Sequence, residues 1–204
     1  MGKVVKKIVL TGGPCAGKST SLDLIKEYLN SLGYIVLIVN ESATELISGG
    51  IKPFGENAVT MVEFQDIVLR NQLFKEKLVN ETAIKYYDDK EIVIIYDRGM
   101  GDYKAYIGDI EYYKLLDKYN LVENDIFDDF DLVIHLETAA KSKNYTKENN
   151  SARSESISEA IELDNKIFDA WKNHKNIYKI KSSDDFLVKQ NEIIRVISEF
   201  IKNF

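Results

Sequence analysis

Several residue types that often carry function are nearly missing from this chain of 204 residues. A single cysteine, Cys15, leaves no partner for an intrachain disulfide and no thiolate cage for zinc. Two histidines, His135 and His174, are too few for a histidine metal site. A basic excess is also lacking. The net charge is −6, which argues against general binding of nucleic acid or of anionic membrane, although a local basic patch remains compatible with it. Arginine is confined to Arg70, Arg98, Arg153 and Arg195 in a chain otherwise rich in lysine. Long apolar runs are missing too. "MGKVVKKIVL" turns from basic to apolar for only about five residues, short of a signal-peptide core and far short of a membrane span, so a cytoplasmic location is expected.

What remains has the balance of a globular protein, 45% apolar and 29% charged, with no internal repeat and no linker-like stretch. The length suits one domain over 1–204. Apolar runs at 4–10, 34–39, 91–97, 131–138 and 176–180 read as strands, and the unbroken apolar character of the second and third suggests burial on both faces. Helical spacing follows from Lys18 to Gly33, over 58–88, brokenly over 102–128, and over 157–172 and 184–203. Strands alternating with helices predict a parallel sheet covered on both sides. Residues 141–156, "KSKNYTKENNSARSES", are polar and almost without aliphatic side chains, as expected of a mobile lid.

The richest motif is "LTGGPCAGKST", residues 10–20. Gly12-Gly13-Pro14-Cys15-Ala16-Gly17-Lys18-Ser19 fits G-x-x-x-x-G-K-[ST], with Thr20 completing the turn into the helix. Glycines there let successive backbone N–H groups turn toward a phosphate, and the following helix points its positive end at the same place. In such a loop Lys18 reaches the β and γ phosphates of ATP or GTP, and the Ser19 hydroxyl ligates Mg²⁺. A ligand-free glycine turn is the competing reading; the position between a strand and a helix decides against it.

Other residues gather around that loop. Asp97 and Arg98 end a strand, where an α/β sheet places its ligands. Asp97 is expected to hold Mg²⁺, and Arg98 offers a planar fork to phosphate or acceptor. Glu41 follows the second strand and can accept a proton from an acceptor hydroxyl or hold that hydroxyl in line; a helix N-terminal acid is the alternative. Arg153, in the polar segment, suits a lid that closes over the transferring group and neutralises its charge.

"LTGGPCAGKST", "ESATELISGGIKP", "YDRGMGDYKAY", "LETAA" and "ARSESISEAIELDNKIFDAWKNH", in this order from about Ile8 to Phe186, resemble the NadR/Ttd14-type P-loop family, filed as an AAA-type ATPase domain. This family is similar to nicotinamide riboside kinase domains, to TRPL translocation defect proteins and, more broadly, to thymidylate and deoxynucleoside kinases. The resemblance implies a three-layer α/β P-loop kinase fold with a five-stranded parallel sheet in order 2-3-1-4-5. It places Glu41 as base or sugar-hydroxyl holder and Asp97-Arg98 as the strand-three acid–arginine pair. It makes Gln65 or Gln72 a base-reading glutamine, and Asp102 and Tyr106 acceptor-side residues. Trp171 and His174 look like packing residues. In "IKSSDDF" many relatives carry an asparagine, which leaves the choice of ATP or GTP open. The chain has no room for a second helical domain, and Arg195 lies in the closing helix, both against a hexameric motor.

Two functions follow as expectations. One is Mg-dependent transfer of the γ-phosphoryl group to a small nucleoside- or nucleotide-like acceptor. The other is a nucleotide-controlled switch for a lipid or protein partner. Action on polynucleotide ends is disfavoured by the acidic balance.

Overall fold

The computed structural model describes residues 5–87, 91–142 and 156–202. Its centre is a five-stranded, all-parallel sheet in the order β2-β3-β1-β4-β5. The strands are β1 Val5–Gly12, β2 Ile35–Val39, β3 Ile92–Asp97, β4 Leu132–Leu136 and β5 Ile177–Ile180. Among the described residues seven α-helices accompany them: α1 Lys18–Ser31, α2 Ser42–Ser48, α3 Met61–Tyr86, α4 Tyr103–Lys118, α5 Glu123–Asp128, α6 Ile157–Trp171 and α7 Phe186–Lys202. This is the expected α/β P-loop kinase architecture. The sequence pattern had no separate element for α2, a two-turn helix too short to show a period.

Side-chain alternation along β1 builds two cores. Ile8 and Leu10 pack with Ile25 and Leu29 of α1 and Ile193 and Ile197 of α7. Val9 faces the other way, into a core with Leu69 of α3, Tyr112 of α4 and Trp171 of α6. The central strands thus carry apolar residues on both faces, which is why they read as continuous runs. Trp171 is wholly buried, stacked on Phe127 with centroids 4.9 Å apart. Truncating such a side chain costs about 3–5 kcal/mol.

Backbone signals mark where helices stop and start. Gly33, at φ +94, lets the Gly33 and Tyr34 N–H groups return to the Asn30 and Leu29 carbonyls and closes α1. Thr60 and Glu63 form a capping box on α3, and Ser156 and Glu159 another on α6. The polar stretch 102–128 divides into α4 and α5, with a kink at Gly108. Because all strands run one way, their C-terminal ends and the loops after β1, β2, β3 and β4 lie along one edge. The phosphate loop after β1, Glu41 after β2 and Asp97-Arg98 at the end of β3 lie on it.

Candidate active site

The loop between β1 and α1 is braced from several elements. Asp164 of α6, wholly buried, accepts from the Gly13 N–H at 3.0 Å, the Thr138 N–H at 3.1 Å and His135 Nε2 at 3.1 Å through one oxygen. Its other oxygen accepts from Lys141 Nζ at 2.8 Å. Burial opposes this charge, but the hydrogen bonds from His135 and Lys141 hold the carboxyl well below the usual range. A Cβ on Gly13 would meet Asp164 Cβ at 2.7 Å, so glycine is required there by the neighbouring helix. The Thr138 hydroxyl donates to the Pro14 carbonyl, and Lys189 Nζ of α7 donates to the carbonyls of Ala16 at 2.9 Å and Glu137 at 2.8 Å. Burial lowers the Lys189 pKa to about 8 against the pull of Asp164 and Glu137.

Within the loop, Cys15 at φ +54 and Gly17 at φ +80 take left-handed backbone, the conformation that turns peptide N–H groups to one side. The N-terminus of α1 has no side-chain cap and no acidic residue in its first turn, so its dipole is not neutralised by the chain. Ser19 and Thr20 lie exposed at that end. Lys18 Nζ donates to Gly12 O at 3.3 Å and Gly13 O at 3.1 Å. Burial, with the Arg98 charge nearby, lowers its pKa to about 7, although Glu41, Asp97 and Asp102 pull upward. Lys18 and Arg98 both donate to the Gly12 carbonyl, and Arg98 pairs with Glu41, so these three side chains meet at the end of β1.

Arg98 is the organiser of the other half. Its backbone is left-handed at φ +67, costly for a non-glycine residue. It is held by its N–H to Leu10 O at 3.0 Å and by its buried side chain. Nε donates to Glu41 Oε1 at 2.6 Å, and Nη1 donates to Gly12 O and Asp102 Oδ2, both at 3.1 Å. Asp102 also accepts from the Thr11 hydroxyl at 2.7 Å and from Trp171 Nε1. Although Asp102 lines the cleft, both its oxygens are engaged from within the protein. Gly99 and Gly101 lie under the Trp171 ring, with Cβ positions 2.8 and 2.7 Å from its carbons. The glycines of "DRGMG" thus serve α6 packing.

Glu41 occupies the N-cap position of α2, but its carboxylate makes no capping bond. It takes the Thr44 hydroxyl at 2.7 Å together with Arg98. Burial would raise its pKa; Arg98 and then Lys18 bring it down to about 2. Asp97 behaves differently. Its Oδ1 is buried with no hydrogen-bond partner among the described residues, and burial, then Glu41, raise its pKa against Lys18 and Arg98. A divalent cation would relieve that penalty, so the donor set of Asp97 with the Ser19 hydroxyl fits Mg²⁺. Among the described residues no cluster of three or more His, Cys, Asp or Glu side chains that could hold a metal ion occurs.

Beside these residues opens a cleft of about 440 Å³ between α2, α3 and α4. Ile47, Phe54, Phe64, Val68 and Tyr106 supply its apolar surface, and Glu41, Asp97 and Arg98 its inner end. The two glutamines expected on α3 both reach it, in different states. Gln72 is engaged at both ends, accepting from Ser42 Oγ at 2.9 Å and donating to Glu76 at 2.8 Å. Gln65 donates from Nε2 to Met61 Sδ at 3.8 Å, and among the described residues its buried Oε1 has no partner. Arg153, like the rest of 143–155, lies outside the described residues. Among the described residues no helix is long and apolar enough to cross a membrane.

Asp164, Thr138 and Lys189 were not singled out from the sequence. The signal available was the surplus glycine at position 13, beyond the glycines that the phosphate motif itself specifies.

The family described as an AAA domain, AAA_28, matches residues 7–186. Among solved structures, the chain is similar to the thymidylate kinase from Ehrlichia chaffeensis, with a TM-score of 0.65 at 16% identity over 96% of this chain and 99% of that one. A search of curated proteins finds no match. That structural likeness carries the kinase-type fold, and the family match covers the phosphate loop, the Asp97-Arg98 strand end and α6 together: the chain belongs to the AAA_28 family of P-loop AAA domains.

Proposed function

We propose that the protein is a P-loop phosphotransferase that moves the γ-phosphoryl group of ATP or GTP to a hydroxyl of a small, nucleoside-like acceptor. The observation that carries this reading is the 440 Å³ cleft, which meets the phosphate loop at Glu41, Asp97 and Arg98. A second cavity joined to the transfer point is what an acceptor needs. Its walls favour a hydroxyl over a phosphate. Among the described lining residues three carboxylates, Glu41, Asp97 and Asp102, face one guanidinium, and Arg98 is already engaged by Glu41, Gly12 and Asp102. A phosphate monoester would enter a negative field.

In this reading the phosphate loop and α1 N-terminus hold the triphosphate, and Lys18 neutralises charge on its β and γ groups. Mg²⁺, when held by Ser19 and Asp97, supplies further charge neutralisation. Arg98 keeps Glu41 ionised and aimed at the cleft. With a pKa of about 2, Glu41 is a weak proton acceptor, so its role is to receive the hydroxyl hydrogen bond and hold the oxygen in line. Arg153 is proposed, as from the sequence, to neutralise the transferring group from the segment following β4.

The test is transfer of labelled γ-phosphate from ATP, and separately from GTP, to a panel of nucleosides, nucleotides and nicotinamide riboside. Expected is product on a hydroxyl acceptor, absent with Lys18→Ala. Glu41→Gln should bind nucleotide normally and lose about 10²-fold in transfer. Tight Mg-nucleotide binding without product from any acceptor would overturn the reading.

A further inference from the structure

A carboxylate that none of the above uses lies inside α3. Glu76 is 8% exposed. Its hydrogen-bond partner is Gln72 Nε2, one turn earlier, at 2.8 Å. The cations near it point elsewhere. Lys75 Nζ is on Glu45 at 2.8 Å and on Asn40 O at 2.5 Å, and Lys7 Nζ from β1 is on Asp129 at 2.7 Å. Among the described residues Tyr96 of β3, Tyr103 of α4 and Asp129 also interact with its charge. Gln72 passes the contact on, since its Oε1 accepts the Ser42 hydroxyl at 2.9 Å. Gln72 and Ser42 line the acceptor cleft, and Ser42 adjoins Glu41.

The chemistry of these groups fixes their orientation. An ionised carboxylate only accepts hydrogen bonds, so the Gln72 amide must present its NH₂ to Glu76 and its carbonyl to Ser42. Ser42 then spends its one proton on Gln72 and shows lone pairs to the cleft. A protonated Glu76 can donate instead. It then accommodates the Gln72 carbonyl, the amide turns over, and the Ser42 proton becomes available to a ligand.

We infer that Glu76 is a positioning residue for specificity: acting through Gln72, its charge state decides whether Ser42 offers the cleft a lone pair or a proton. This rests on the reading of the cleft as the acceptor site. Burial and the Asp129 charge raise the Glu76 pKa to about 7, against Gln72, Lys7 and Lys75, so both states are populated in the neutral range. The ionised state suits an acceptor with a donor group facing Ser42, and the protonated state one with a carbonyl there.

The side-chain amide resonances of Gln72, assigned by their loss in Gln72→Met, are followed from pH 5.5 to 8.5 in the intact chain. Expected is a titration with its midpoint near neutrality that disappears in Glu76→Gln. An amide that does not titrate, or one that still titrates in Glu76→Gln, overturns the inference. In kinetics, KM for whichever nucleoside is phosphorylated should change about fivefold across that range, the worth of one hydrogen bond, while KM for the nucleotide stays flat. Glu76→Gln should abolish the change. A titrating amide with no nucleoside phosphorylated would leave the polarity switch standing and bring down the kinase reading alone.

Discussion

The two halves of the site are built on opposite plans. On the phosphate side, side chains hold backbone: Asp164 grips the Gly13 and Thr138 N–H groups, Thr138 the Pro14 carbonyl, and Lys189 the Ala16 and Glu137 carbonyls. On the acceptor side, side chains hold one another, and the buried Gln65 Oε1 has no partner among the described residues. A triphosphate is the same object in every P-loop protein, so a preset backbone cradle suffices, and the surrounding contacts serve to stop it moving. An acceptor must be told from its analogues. Unpaired buried groups do that, because a ligand that fails to satisfy them leaves their desolvation cost uncompensated.

The largest effect should follow from cutting the phosphate side at its charge. Lys18→Ala is expected to lower transfer by about 10³-fold, the scale of removing one preorganised charged donor, while the thermal melting profile is retained. A residual rate within tenfold of wild type would show that Lys18 does not face the transferring group.

Next comes the brace. Asp164→Ala leaves the Gly13 and Thr138 N–H groups, His135 and Lys141 without their shared acceptor. Chemical denaturation should report a loss of about 3–5 kcal/mol, as for other broken buried ion pairs. The comparison sharpens if nucleotide affinity falls with it while Gln65 and the acceptor cleft are undisturbed. An Asp164→Ala protein of wild-type stability would mean that the loop holds its own shape.

This contrast also explains what could be read in advance. The phosphate loop was legible because its chemistry is local: eight consecutive residues make the cradle. The sheet order was legible from the family resemblance, and the strands from their apolar runs. Asp164 was not, since it meets Gly13 across 151 positions of chain and looks, beside Asn165, like one more solvated acid on a helix. Neither could the pattern separate Gln65 from Gln72. They lie two turns apart on the same face of α3, and the distinction comes from Glu76 and Ser42, which engage both ends of Gln72, whereas Gln65 Oε1 has no partner among the described residues. Asp102 shows the reverse difficulty: its position after "DRG" suggested the acceptor, while Thr11, Arg98 and Trp171 claim its oxygens.

Glu76 gives the acceptor side its own stability signature. A carboxyl whose pKa is raised from 4.5 unfolded to about 7 folded binds a proton in the native state that the unfolded chain has released. Its favourable contribution is full below pH 4.5 and is lost as pH rises through 7. Relative to wild type, Glu76→Gln should therefore gain stability between pH 5 and 8, by about 2–3 kcal/mol at the alkaline end. Parallel denaturation curves at several pH values check this; a constant difference between the two proteins would place Glu76 in a more solvated setting.

The smallest effect tests Gln65. Gln65→Leu removes a buried carbonyl oxygen that has no partner among the described residues and sheds its desolvation cost, giving up only the weak Nε2 donation to Met61 Sδ at 3.8 Å. The variant should be as stable as wild type or slightly more so. If Gln65 Oε1 is reserved for a donor group on the acceptor, the cost appears only in that ligand, as a rise of about tenfold in its KM with the nucleotide KM unchanged. Such a split would put recognition on α3 and keep it off the phosphate loop. Equal rises in both constants would show that the two halves, built on different plans, nevertheless move together.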